Sequence, residues 1–203
     1  MENKTYIQAY CTIENNKIVL NGETVFEIES TAFADFSKKA YQYFEIGYPK
    51  FFKMDNLSKL AFLGGELLLK NQNPDGQNNT ALLFANKSSS LDTDVKYQNS
   101  ISDKENYFPS PAVFVYTLAN ICLGEISIRH QLKSENSFFI FETFNAGFMA
   151  NYANILIETQ KAENVLCGWT EFFGEDYRAF LCLIGNEGGI ENTKQNLEIL
   201  YNK

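Results

Sequence analysis

Few residues in this sequence could carry nucleophilic, acid–base or metal chemistry. There are four cysteines, Cys11, Cys122, Cys167 and Cys182, and one histidine, His130. No pair of cysteines has CxxC spacing, and none stands at a ligand's distance from a histidine, so a zinc site is not expected. Each cysteine lies in an apolar setting, such as "NICLGEI", "VLCGW" or "FLCLI". Reduced thiols that fill a core account for this better than nucleophiles or disulfides do. His130, in "SIRHQLKS", is expected to cap a helix or face solvent, and a lone histidine rules out a two-histidine pair within these residues. Asp92 and Asp94 sit in the polar run "KSSSLDTDVKYQNSISDKENYF", which reads as a loop. Two carboxylates without further ligands are expected to be solvated rather than bound to a metal.

The stretch with the strongest mechanistic shape is "SENSFFIFETFNAGFMANYANILIETQKAENVLCGWTEFF". It reads as an apolar strand, a tight turn, an amphipathic helix and a second apolar strand. A strand that turns sharply into a helix N-terminus commonly holds a nucleophile among backbone N–H groups. Here the turn is "ETFNAG", with Phe144 at its apex and no Cys, Ser or His beside it. Glu142 and Thr143 precede Phe144. A carboxylate there has the chemistry of a base, but an end-of-strand Glu is better read as pairing with the helix N-terminus. Asn145 reads as the helix N-cap.

The elements that hold this turn alternate. "TYIQAYCTI" and "TVFEIES" are expected as strands on either side of an Asn-Gly turn in "LNGE". The aromatic stretch "FADFSKKAYQYFEIGYPKFF" is expected to be irregular with a helical portion. "NLSKLAFLGGELLLKN" has helical apolar spacing with Asp55 or Asn56 as its cap. Gly64 and Gly65 cost that helix about 1 kcal/mol each relative to Ala, which close packing on a sheet would offset. "NPDGQNN" is a turn and "TALLFAN" a short buried strand. "SPAVFVYTLANICLGEISIRHQL" has helical spacing after Pro111. The strand–helix–strand follows, then the strand "DYRAFLCLI", and the polar tail "IENTKQNLEILYNK" as a short helix. The order β, α, β, α, β, α, β, β implies an α/β layer fold, with a mixed, mainly parallel five-stranded sheet covered by helices.

Composition narrows the classes. The 203 residues suffice for one good core, and we expect residues 1–203 to form a single domain. A hydrophobic fraction of 45%, with 15% aromatic, argues against disorder. The net charge of -8 argues against nucleic acid as a partner. No apolar run approaches the ~20 residues that cross a bilayer, and "MENKTYIQAY" lacks a signal-peptide layout. A soluble cytoplasmic protein is expected.

Three segments resemble the N-terminal half of a β-ketoacyl synthase, a condensing enzyme of the thiolase fold. They are "KMDNLSKLAF", "FPSPAVFVYTLANICLGEISIRHQLKSENS" and "FETFNAGFMANYANILIETQKAENVLCGWTE". Lys53, Met54 and Asp55 match the family's lysine-methionine-aspartate entry to a helix. Asn120 and Gly124 match its Asn and the Gly four residues on. Gly147 matches the glycine after the nucleophile turn, and Gly168 and Glu171 match the Gly-Gly-x-Glu strand end. The likeness runs in order from about Lys53 to about Ile184 and implies half of a thiolase-like fold.

Counted back from Gly147, the family's active-site cysteine falls on Phe144, which cannot form a thioester. The family's two catalytic histidines and nearby lysine belong to a C-terminal half that these residues do not include. The resemblance therefore implies a catalytically degenerate domain with no catalytic residues of its own. Its turn, Thr143, Phe144, Asn145 and Gly147, survives as scaffold, with no cofactor and no metal. Phe144 is expected to fill the space of a thiol and acyl chain, in preference to plugging an acyl tunnel.

Ketosynthase relatives without the cysteine, called chain-length factors, pair with active ketosynthases in polyketide and aryl-polyene-type pigment pathways and help define the acyl cavity. An accessory subunit of fatty-acid or polyketide-type biosynthesis is the implied role. The alternatives are a 3-oxoacyl carrier-protein synthase component active only with a second polypeptide, and a non-catalytic dimer that binds an acyl chain or carrier protein. The implied partners are a second copy or a full-length ketosynthase, with acyl carrier protein as a further candidate. The apolar run Phe138, Phe139, Ile140, Phe141 in "SFFIFET" is the expected contact strand, because ketosynthase relatives dimerise through the strand before the nucleophile.

Overall fold

The structure is a computed structural model and describes residues 4–29, 32–70, 79–105 and 107–203. The chain begins with a meander. β1 (Tyr6–Glu14), β2 (Lys17–Leu20) and β3 (Glu23–Glu27) are joined by two two-residue turns, Asn15–Asn16 and Asn21–Gly22. All four turn residues have positive φ, the backbone shape that matches the twist of an antiparallel hairpin. The second turn was expected. The first makes "KIVL" a strand of its own, and Tyr177 braces it by accepting from the Asn16 N–H and donating to Asn16 Oδ1, both at 2.9 Å.

α1 (Phe33–Tyr43) and a 3-10 turn (Pro49–Lys53) supply the helical parts of the aromatic stretch. α2 (Asn56–Leu69) starts at Asp55, whose side chain accepts from the Ser58 N–H at 2.9 Å. β4 (Thr80–Asn86) is buried throughout. The turn expected at residues 73–79 lies, Asn79 apart, outside the described residues. The region expected as loop instead forms α3 (Leu91–Ser102), with Asp92 and Asp94 in its first turn. Carboxylates are favoured there by the helix dipole, and Asp92 is bonded to Lys96 one turn on at 2.5 Å.

The helical spacing after Pro111 resolves into a short α4 (Pro111–Val115) and α5 (Ile121–His130). β5 (Asn136–Ile140), α6 (Ala146–Glu158), β6 (Asn164–Phe173) and β7 (Asp176–Gly185) follow as read. A two-residue strand β8 (Ile190–Glu191) and α7 (Lys194–Tyr201) close the chain.

Among the described residues the strands form one mixed eight-stranded sheet in the order β3-β2-β1-β7-β6-β4-β5, with β8 also paired to β1. The expectation of five mainly parallel strands is corrected: among the described residues only β4–β5 and β4–β6 run parallel. Tight turns can join only antiparallel neighbours, and three of the connections here are two-residue turns. The helical crossovers between β4, β5 and β6 are what make those pairs parallel.

Alternate residues of the central strands feed two cores. Leu82, Phe84, Leu166, Leu181 and Leu183 face α1, α2 and α5. Ala81, Leu83, Ala85, Val165, Cys167, Trp169, Phe180, Cys182 and Ile184 face α6 and α7. α2 lies so close to the sheet that a Cβ on Gly64 would stand 2.8 Å from Leu181 Cδ1, and so close to α5 that one on Gly65 would stand 3.1 Å from Ile126 Cδ1. The two glycines thus give up helix propensity for approach. Among the described residues no helix is long and apolar enough to cross a membrane.

Candidate functional site: the turn from β5 into α6

The chain leaves β5 with the Phe141 N–H bonded to Asn86 O at 3.0 Å and enters α6 at Asn145. The Asn145 side chain accepts from the Phe148 N–H at 3.0 Å, so the expected N-cap is formed. Glu142 and Thr143 are exposed. Glu142 does not turn back onto the helix N-terminus as expected. It reaches outward to Lys87 Nζ, 3.7 Å away.

Phe144 at the apex is packed down. Its ring stacks on Tyr201 of α7 with centroids 4.6 Å apart and meets Phe180 of β7 edge-on at 5.5 Å. Tyr201 is pinned on its other side by Arg178, whose guanidinium carbon lies 4.2 Å from the ring centroid. Arg178 Nη2 also donates to the Tyr201 carbonyl oxygen, and its Nε meets Glu14 Oε2 at 3.1 Å. Gly147 gives α7 room beside α6: a Cβ there would lie 3.4 Å from Lys194 Cδ. The apex therefore presents an aromatic ring to the end of α7, and no thiol or imidazole.

The cysteines lie elsewhere. All four are free and buried. Burial pushes the thiols of Cys11 and Cys167 up to about 12, and it raises those of Cys122 and Cys182 well above the ordinary thiol range too. A thiol that stays protonated at neutral pH is a poor nucleophile. These are core residues, as their apolar contexts suggested.

His130 is neither a solvent-facing residue nor a helix cap. Its side chain is 11% exposed, and Nε2 lies 3.0 Å from Glu66 Oε2. Arg129 holds the same carboxylate with both arms, Nε to Oε2 at 3.1 Å and Nη2 to Oε1 at 2.7 Å. Burial opposes ionisation of Glu66, yet the hydrogen bonds from His130 and Arg129 prevail and hold its pKa down to about 2. Glu125, also buried, accepts from Tyr116 Oη at 3.0 Å and pairs with Lys50 Nζ at 2.8 Å. Sequence reasoning passed over both acids, although a single carboxylate inside an apolar helical run was the available signal. Both are fully engaged in tying the packed elements together.

The other matched residues are structural as well. Asp55 caps α2 and accepts from Thr93 Oγ1 at 2.7 Å, and burial raises its pKa. Lys53, Met54 and Asp55 line a small cavity together with Thr93, Lys96 and Tyr116. Asn120 stands at the N-cap of α5 without a side-chain cap bond, and Gly124 faces open space. Gly168 lies where β7 crosses so near that a Cβ would be 2.0 Å from Phe180 O. Glu171 Oε2 accepts from the N–H groups of Lys87 (2.6 Å) and Ser88 (3.1 Å), bracing the loop after β4. Asp92 accepts from the Gly174 N–H at 3.0 Å. Among the described residues no three His, Cys, Asp or Glu side chains converge as a metal site.

No protein-family model and no curated protein matches the chain. Solved structures do. The chain is similar to the ishigamide ketosynthase/chain length factor at a TM-score of 0.66 and 15% identity, over 90% of this chain and 62% of that one. It is similar to the ketosynthase ApeO in complex with its chain length factor ApeC from Xenorhabdus doucetiae (0.60, 12%, 98% and 90%). It is also similar to AntDE:AntF, a type II polyketide acyl-carrier protein in complex with its ketosynthase (0.57, 14%, 91% and 63%). The chain thus spans somewhat under two thirds of the first and third of these and nine tenths of the second. At these identities the likeness establishes the fold: a thiolase-like architecture shared with ketosynthases and chain-length factors.

Proposed function

We propose that residues 1–203 form one ketosynthase-like domain that acts as a nucleophile-less accessory subunit, in the manner of a chain-length factor, in fatty-acid, polyketide or aryl-polyene-type biosynthesis in the cytoplasm. The observation that carries this reading is Phe144 at the apex of the strand-to-helix turn, stacked under Tyr201. Condensation needs a thiolate to take the acyl chain and donors for its thioester oxygen. The turn offers an aromatic ring instead, and every thiol in the chain is buried with a raised pKa. The packing of Phe144 between Tyr201 and Phe180 supports a space-filling role over a tunnel plug.

A full-length ketosynthase is the partner this reading calls for, with a carrier protein as a further contact. The likeness to ketosynthase and chain-length-factor complexes supports it. The contact strand in this reading is β5, which lies at the end of the sheet. Incubating the purified chain with labelled acyl-carrier protein tests the reading: no covalent acyl-enzyme should form on any residue, and Phe144→Cys should not restore condensation. A stoichiometric thioester on Cys122 or Cys167, or turnover by the variant, would overturn it.

A further inference from the structure

A polar cleft of about 350 Å³ lies between the residues before β1, the later turns of α6 and the start of α7. That volume is in the range of small-molecule sites. Thr5, Ala150 and Asn192 form its buried lining. Asn192 is 5% exposed, and its Nδ2 donates to Asn154 Oδ1 at 2.9 Å, Thr5 Oγ1 at 3.1 Å and Ala150 O at 3.2 Å. Thr5 Oγ1 donates in turn to Asn154 Oδ1. Ala150 O and Asn154 Oδ1 can only accept, so the Asn192 amide cannot be turned round. Its Oδ1 is thereby fixed as an acceptor, and it is buried with no partner among the described residues. Buried polar atoms are satisfied as a rule, so this one calls for a donor that enters the cleft.

On either side of Asn192 the cleft carries opposite polarity. One side is the N-terminus of α7. There Thr193 Oγ1 accepts from the Asn196 N–H at 3.2 Å and Thr193 O from the Leu197 N–H at 3.0 Å. The N–H groups of Lys194 and Gln195 are left for an anion, and the exposed Lys194 adds a cation beside them. The other side is Glu158, the last residue of α6, where the helix dipole favours a cation. Glu158 is exposed and has no ion-pair partner among the described residues. We infer that the cleft binds a free amino acid, with its carboxylate at the start of α7 and its ammonium group between Asn192 Oδ1 and Glu158. A zwitterion answers both sides, and an ammonium with N–H groups supplies the donor that Asn192 Oδ1 lacks. A simple anion would leave Asn192 Oδ1 and Glu158 unanswered, and a simple cation would leave the helix N-terminus. The inference does not rest on the accessory-subunit reading.

Titration of the isotopically labelled full chain with L-alanine, followed by NMR, tests the assignment. The side-chain amide signals of Asn192 and the backbone amides of Lys194 and Gln195 should shift saturably. Glycine betaine keeps both charges of an amino acid but has no N–H to donate. It should bind roughly tenfold more weakly than L-alanine, as should acetate, methylammonium and glycerol, because each forfeits at least one charged hydrogen bond. Glu158→Gln removes an exposed charge that ties no elements together. It should leave the circular dichroism unchanged and weaken L-alanine binding roughly fivefold. An absence of saturable shifts into the tens of millimolar, equal binding of any of the four comparison compounds, or a Glu158→Gln variant that binds L-alanine as tightly as the parent would each overturn the assignment.

Discussion

The ring of Phe144 lies 4.6 Å from the ring of Tyr201, nearly parallel to it at 26°. The two stand 57 positions apart in the sequence. The contact fastens the last helix onto the turn between β5 and α6, and the Arg178 guanidinium closes the stack from above.

Tyr201→Ala should therefore destabilise the protein by about 2 kcal/mol, the loss of a half-buried ring together with its aromatic and cation–π partners. Urea unfolding would show a lower midpoint at an unchanged slope. A shift of a few tenths of a kcal/mol would mean that α7 is held by Leu197 and Leu200 alone, both of which are buried in the α6-side core.

Glu66 makes stability depend on acid. Its pKa falls from an ordinary 4.5 to about 2 on folding, so its contribution is complete above about pH 4.5 and is lost as pH falls toward 2. That shift corresponds to on the order of 3 kcal/mol at neutral pH. Glu66→Gln should remove this stability at neutral pH and flatten the acid limb, so the two proteins should converge near pH 2. Comparing variant with parent also cancels Asp55, whose raised pKa acts in the opposite sense. Parallel stability curves from pH 7 down to 2 would contradict the assignment.

The thiols should be silent in the native state. None of Cys11, Cys122, Cys167 and Cys182 should react with a soluble alkylating reagent at mildly alkaline pH, and all four should react once urea is added. Intact-mass spectrometry reads the count directly. Rapid native labelling of one site would place that thiol in a more open setting than the sheet faces give it.

The turn and its flanks were legible because their determinants are local. Asn145 caps four residues after a continuous apolar run, Asp55 caps α2 three residues before Ser58, and β4, β6 and β7 each contain an apolar run. α3 was not legible. It has almost no apolar stripe, Thr93 being its one buried residue, and it is held by first-turn carboxylates and the Asp92–Lys96 pair. β2 was hidden because only four residues separate two asparagine turns. The Glu66–Arg129–His130 cluster joins residues 63 and 64 positions apart, which periodicity cannot report. The balance of parallel and antiparallel pairs depended on which connections are tight turns, and one of those turns, Asn15–Asn16, contains no glycine to mark it.

β1 lies inside the sheet between β2 and β7, and the pairing that completes its second side runs from Tyr6↔Gly185 to Glu14↔Arg178. During synthesis, β1 leaves the ribosome well before β7, so one side of its backbone waits for that later strand. Such distant pairing raises the contact order and slows closure of the sheet. Side chains such as Ile7, Cys11 and Ile13, buried in the finished sheet, lack part of their cover in that interval, and uncovered apolar surface of this kind is what makes a partly folded chain prone to aggregate.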